Sequence, residues 1–155
     1  MNRREVLLSS VALAGAAIVG RAQAEEMKMD HEKMDHEMHH DMAAMMANAG
    51  LASATADCIQ KGQVCLNHCL YLLGQGDKDM AACAKSVSQM LSLCGALQGL
   101  ANQQSTYLPR LAAVTMDACK QCQDECKKHS DKHEACKACG KSCDTCAKEC
   151  KKVAA

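Results

Sequence analysis

Phenylalanine and tryptophan are absent from the 155 residues, and tyrosine occurs only at Tyr71 and Tyr107. Stacking platforms for nucleic-acid bases are therefore missing, as are the bulkiest fillers of an apolar core. Pro109 is the single proline. With few β-branched residues as well, the chain has little that breaks helices and little that favours strands, so an all-α fold is expected. Lys plus Arg and Asp plus Glu balance at 18 each, which leaves no excess from which to build a basic face for nucleic acid. No activated nucleophile, paired carboxylates or phosphate-cradling loop stands out, and the chain reads as a non-enzyme. Its length allows one domain at most.

The first 24 residues read as an export signal. Arg3 and Arg4 precede an apolar run ending near Val19, and Ala22-Gln23-Ala24 fits the small-residue cleavage rule. The run is shorter than the ~20 residues that span a bilayer, so no stable membrane anchor is expected. Paired arginines before a short Ala/Gly-rich segment resemble a twin-arginine signal rather than an ordinary secretory one. That route carries folded proteins, here to the periplasm, and a thiol-rich core would form before meeting an oxidising compartment. Cleavage removes three arginines and one glutamate, taking the net charge from zero to about −2.

Residues 25–50 form a second segment, rich in Met27, Met29, His31, Met34, His36, Met38, His39, His40, Met42, Met45 and Met46. Thioethers and imidazoles in such density suggest metal capture; the bland alternative is a solvated tail. A short additional helix around residues 42–51 is expected to lie at one end of the cysteine-rich remainder of the chain.

The third segment, residues 51–155, carries all thirteen cysteines. Punctuation divides it into four helices: about Ser53–Leu73, Asp77–Ala101, Ser105–His129 and Ser130–Lys152, with Gly74-Gln75-Gly76 and Asn102-Gln103-Gln104 as turns. Short connections make neighbouring helices antiparallel, which gives an up-down-up-down four-helix bundle. Cys58, Cys65 and Cys69 form one stripe on the first helix; Cys83 and Cys94 lie three turns apart on the second. Cys119, Cys122 and Cys126 lie on the third, then Cys136, Cys139, Cys143, Cys146 and Cys150 on the fourth. Residues three and four apart share a helix face, so these are core positions with thiols where Leu or Ile would normally stand.

Threaded antiparallel, Cys69, Cys83, Cys126 and Cys136 are expected to meet at one end, and Cys58, Cys94, Cys146 and Cys150 toward the other. A column of sulfur discriminates between metals. Zinc wants four ligands at one tetrahedral point, usually from loops. Cu(I) accepts two or three thiolates, so helical pairs such as Cys65/Cys69, Cys122/Cys126, Cys139/Cys143 and Cys146/Cys150 suit it. The charge of one Cu⁺ is met by one thiolate. The rival reading is a redox or interaction protein stapled by disulfides, with Cys126–Cys136 and Cys122–Cys139 as rungs, but that leaves nine thiols without a role. Copper or zinc detoxification is a third. Met90 and Met116 read as packing residues.

Taken together, Cys58-x₆-Cys65-x₂-His68-Cys69, Met80-x₂-Cys83, Leu93-Cys94-Gly95-Ala96-Leu97, Cys119-x₂-Cys122-x₃-Cys126 and Cys143-x₂-Cys146-Ala147-x₂-Cys150 resemble the copper storage protein family, in its exported, twin-arginine-targeted branch. The resemblance spans Leu51–Ala155. It implies a homotetramer of four-helix bundles, each holding many Cu(I) ions mostly between cysteine pairs, with copper enzymes or chaperones as recipients. It also implies a His/Met site at the mouth of the bundle, which His68 and Met80 match. Leu72 and Gln75 stand where the family has further methionines, so that site is expected to be weaker or rearranged.

Overall fold

The computed structural model describes residues 46–154. The export signal and the Met/His tract through residue 45 lie outside the described residues. Four helices make up the described chain: α1 (Ala49–Gly74), α2 (Met80–Asn102), α3 (Leu108–Lys127) and α4 (Glu134–Val153). Each packs on two neighbours around a square, α1 on α2 and α4, α3 on α2 and α4. This is the expected up-down-up-down bundle. No helix among the described residues is long and apolar enough to cross a membrane.

The helix boundaries differ from the expected ones by a few residues. Helix α1 begins at Ala49, four residues before Ser53, so residues 49–51 belong to its first turn; the first part of the expected short helix, residues 42–45, lies outside the described residues. Asn48 occupies the cap position but makes no capping bond; its Nδ2 instead reaches the carbonyl of Ala101, 3.5 Å away. Asp77 does not cap α2 directly. Its Oδ1 accepts from the Asp79 N–H at 3.2 Å, which folds the turn before the helix starts at Met80. Ser105 plays the same part before α3, accepting from the Tyr107 N–H, and Pro109 sits in the first turn, where its missing N–H has no intrahelical acceptor to lose. Residues 128–133 form the last turn, and α4 starts at Glu134.

Two turns end in a left-handed residue. After α1, Gly76 has φ 93, and the Asp77 N–H reaches back to the Leu72 carbonyl at 3.0 Å. This satisfies an orphan carbonyl in the Schellman manner. After α2, Gln104 takes the same place at φ 51, with the Ser105 N–H on the Leu100 carbonyl. A residue with a Cβ is uncommon there and strained by about 1 kcal/mol.

Each helix buries one stripe. Around the axis lie all thirteen cysteines, every one fully buried, with Met80, Val87, Met90, Leu97 and Ala112 among them. Toward the end closed by residues 103–107 the filling is hydrocarbon: Leu51, Leu97, Ala101, Leu108 and Ala112. Thr55 and Thr115 are also fully buried, but their hydroxyls donate to carbonyls of their own helices, Leu51 and Leu111. Outside, ion pairs such as Lys148–Asp144 and Lys128–Glu125 run along α3 and α4 at i,i+3 and i,i+4. They are exposed at one partner or both, and each contributes little.

Candidate metal centre

All thirteen cysteines are free thiols. Their stripes point at the axis, so the closest sulfurs come mainly from facing helices. Cys58 lies 3.7 Å from Cys143, Cys65 3.8 Å from Cys136, and Cys83 3.8 Å from Cys126. Cys94 lies 3.9 Å from Cys119 and 4.0 Å from Cys146, and Cys122 3.9 Å from Cys139. Within one helix, Cys65 and Cys69 come within 4.0 Å.

These contacts assemble four groups of sulfurs, each mutually within 4.8 Å: Cys65/Cys69/Cys83/Cys136, Cys65/Cys126/Cys139, Cys122/Cys139/Cys143 and Cys58/Cys94/Cys119/Cys146. Cys65 and Cys139 each belong to two groups. The 3.7 Å contact between Cys58 and Cys143 joins the last group to the one before it. The sulfurs therefore form a continuous ladder along the axis. With a first-row metal–sulfur bond of roughly 2.3 Å, a trigonal ion needs sulfurs about 4.0 Å apart and a linear one about 4.6 Å. The contacts of 3.7–4.0 Å lie close to the trigonal spacing, and every group falls within 4.8 Å.

The groups refine the expected meetings. Cys65 joins Cys69, Cys83 and Cys136 in one group, while Cys126, expected at this end, touches Cys83 at 3.8 Å and groups with Cys65 and Cys139. Cys119 rather than Cys150 joins Cys58, Cys94 and Cys146, since Cys150 lies one turn further toward the hydrocarbon end. Of the four i,i+4 pairs, Cys122/Cys126 and Cys146/Cys150 share no group. The expected disulfide rungs are not formed: Cys122 and Cys139 sit at contact distance, Cys126 is turned to Cys83, and Cys136 to Cys65.

So dense a set of thiols shares its protons unequally. Cys58 is held well below the usual thiol range by hydrogen bonds from Cys119, Cys143, Cys146 and Cys94. Hydrogen bonds from Cys126 and then Cys136 do the same for Cys83, those from Cys122 and Cys126 for Cys139, and that from Cys65 for Cys136. Their partners are pushed up. Cys65 is raised through Cys126 and Cys136, Cys69 through Cys136, and Cys143 through Cys119 and Cys122, with burial adding in each case. Every group thus pairs at least one sulfur that ionises readily with thiols that stabilise it by donating.

At the end bearing residues 75–79 and 128–133, Met80 is fully buried at the start of α2. His68 is half-buried, and its Nε2 lies 3.0 Å from Nδ1 of His133, the residue just before α4. His68 precedes Cys69 in α1 and His133 stands three residues before Cys136, so both lie at the end of the bundle that carries the Cys65/Cys69/Cys83/Cys136 group. His133 is absent from the sequence-based expectation. It stands outside every helical period, and its one signal was its position a single turn before Cys136.

The family model for copper storage proteins matches residues 44–155. Among solved structures, apo-Csp3 (copper storage protein 3) from Bacillus subtilis is similar, with a TM-score of 0.61 and 28% identity over 69% of this chain and 98% of that one. No curated protein sequence matches the chain. A four-helix bundle, a core of thirteen thiols and a family match over most of its length lead to one assignment: the chain belongs to the copper storage protein family, and its function is copper storage.

Proposed function

We propose that the stored ion is Cu(I), that one chain holds many, and that the thirteen cysteines hold them as thiolates. The observation that carries this reading is the sharing of sulfurs along the ladder. The two four-sulfur groups alone would also satisfy a tetrahedral divalent ion. Cys65 and Cys139, however, serve two groups each, and shared sulfurs suit ions of low charge and low coordination number. Bridging thiolates let the ratio of monovalent ions to sulfurs approach one, so that the filled core is close to neutral.

Copper reaches the ladder from the His68/His133 end, with Met80 beneath. The support for this direction is the contrast with the other end, where hydrocarbon and self-bonded threonines offer no ligand. The twin-arginine-like signal supports export to the periplasm in a folded state, where the store supplies copper enzymes or chaperones, and the Met/His tract gathers the ion. A homotetramer is supported by the outer surfaces of α1 and α2, which carry Asp57, Lys61 and Lys85 alone as charged residues and expose Val64, Leu70 and Tyr71. Anaerobic titration of the reduced protein with Cu(I) against a competing chelator tests the core of the proposal. Uptake on the scale of the thiol count is expected; saturation at one to three equivalents would sink it.

A further inference from the structure

Helix α2 is poor in thiols. Between Cys83 and Cys94 its buried stripe runs through Val87 and Met90, and Met90 is fully buried. Its sulfur is not turned toward hydrocarbon. Met90 Sδ lies 3.4 Å from Cys58 Sγ, shorter than any thiol–thiol contact in the core. The same Cys58 sulfur touches Cys143 at 3.7 Å.

The seat of this side chain is built into α1. A Cβ placed on Gly62 would fall 2.7 Å from the Met90 methyl and 2.9 Å from Leu91 Cδ2. Gly62 lies in the middle of the longest helix, where glycine is the most costly residue after proline. Its lack of a side chain makes room for the methyl, and one turn away the Met90 sulfur lies on Cys58. A residue serving only as filler has no need of such a seat, since leucine has nearly the same volume.

We propose that Met90 is a copper ligand in the interior of the store, its thioether completing a three-sulfur site with the thiolates of Cys58 and Cys143. Thioether sulfur is a soft donor that favours Cu(I) over divalent ions. It carries no proton and no charge, so it adds a ligand without adding a negative charge to bury. The site bridges the stretch of the ladder where α2 offers no cysteine, between the Cys122/Cys139/Cys143 and Cys58/Cys94/Cys119/Cys146 groups.

This inference rests on the copper-storage reading, and its test separates the two. The full chain, labelled with ¹³C at the methionine methyls, is titrated anaerobically with Cu(I) and followed by NMR; the Met90 signal is the one missing from Met90→Leu. That signal is expected to move in step with loading. In competition titrations Met90→Leu is expected to hold one ion roughly tenfold more weakly, in the range lost when a supporting contact to a metal is removed. A methyl signal unmoved at full loading, or a Met90→Leu titration superposable on that of the parent, overturns the Met90 ligand and leaves storage intact. A parent chain that takes up only one to three ions overturns both.

Discussion

At the end of the bundle closed by residues 103–107, the axis is filled by Leu51, Leu97, Ala101, Leu108 and Ala112. At the opposite end the same axial positions are Cys69, Cys83, Cys136 and Met80, flanked by His68 and His133. The backbones of the two halves are alike: antiparallel helices with a stripe of period 3.6. What differs is which property of the stripe is used. Hydrocarbon at one end ties the four helices together by burial. At the other, small polarizable side chains keep the geometry but leave the cohesion to be completed by metal. A store needs both, because helices that had to be assembled by the ion would disperse each time it left.

Removing each property in turn gives the largest effects. Leu97→Ala is expected to cost about 3 kcal/mol in denaturant unfolding of the copper-free protein, as for other leucines lost from a core. Its Cu(I) capacity in a chelator competition should stay unchanged. Cys69→Ala should do the reverse, costing at most about 1 kcal/mol, since a thiol is a small apolar group, while lowering capacity. If Leu97→Ala loses copper as readily as Cys69→Ala, the division of labour is wrong.

Acid probes the sulfur end alone. Cys65, Cys69 and Cys143, pushed up by neighbouring thiols and burial, hold their protons at neutral pH, and an arriving ion must displace them. Apparent affinity should therefore fall as pH falls, by about tenfold per pH unit for each proton displaced. Cys58, Cys83, Cys136 and Cys139 are shifted downward and have less proton to give. Fewer protons than sulfurs should appear in solution on loading, as read by an indicator dye. Release of one proton per engaged thiol would contradict the unequal sharing.

The smallest effect belongs to the hydrocarbon end. Gln104 holds φ 51 in the turn between α2 and α3. Gln104→Gly should relieve that strain and raise the unfolding free energy by up to about 1 kcal/mol, with the glycine's own entropy taking back part of it. Copper uptake should not change.

The stripes were legible in the sequence because a helix converts spacing directly into a face: Cys119, Cys122 and Cys126 leave little freedom. Which sulfurs meet was less legible. Counting turns from each loop sets the height of a residue along the axis but not the rotation of its helix, and a fraction of a turn exchanges Cys126 for Cys65. The helix starts escaped for a related reason, since Asn48 and Asp77 bond to something other than the position a cap would use. His133 lies where no period runs. Met90 was on the stripe, but Gly62 stands on a different helix with a whole turn of chain between them, and only folding shows that one was shaped for the other.

Cys65 and Cys139 each stand in two groups at once, and this bears on movement as well as on holding. An ion moving through Cys65 or Cys139 would already share a ligand with its destination, so that step would be an associative exchange in which one bond is kept while another is traded. No intermediate is bare, and no water is needed to carry it. With entry at the His68/His133 end, as proposed, the ions would form a queue in which the last to arrive is the first to go.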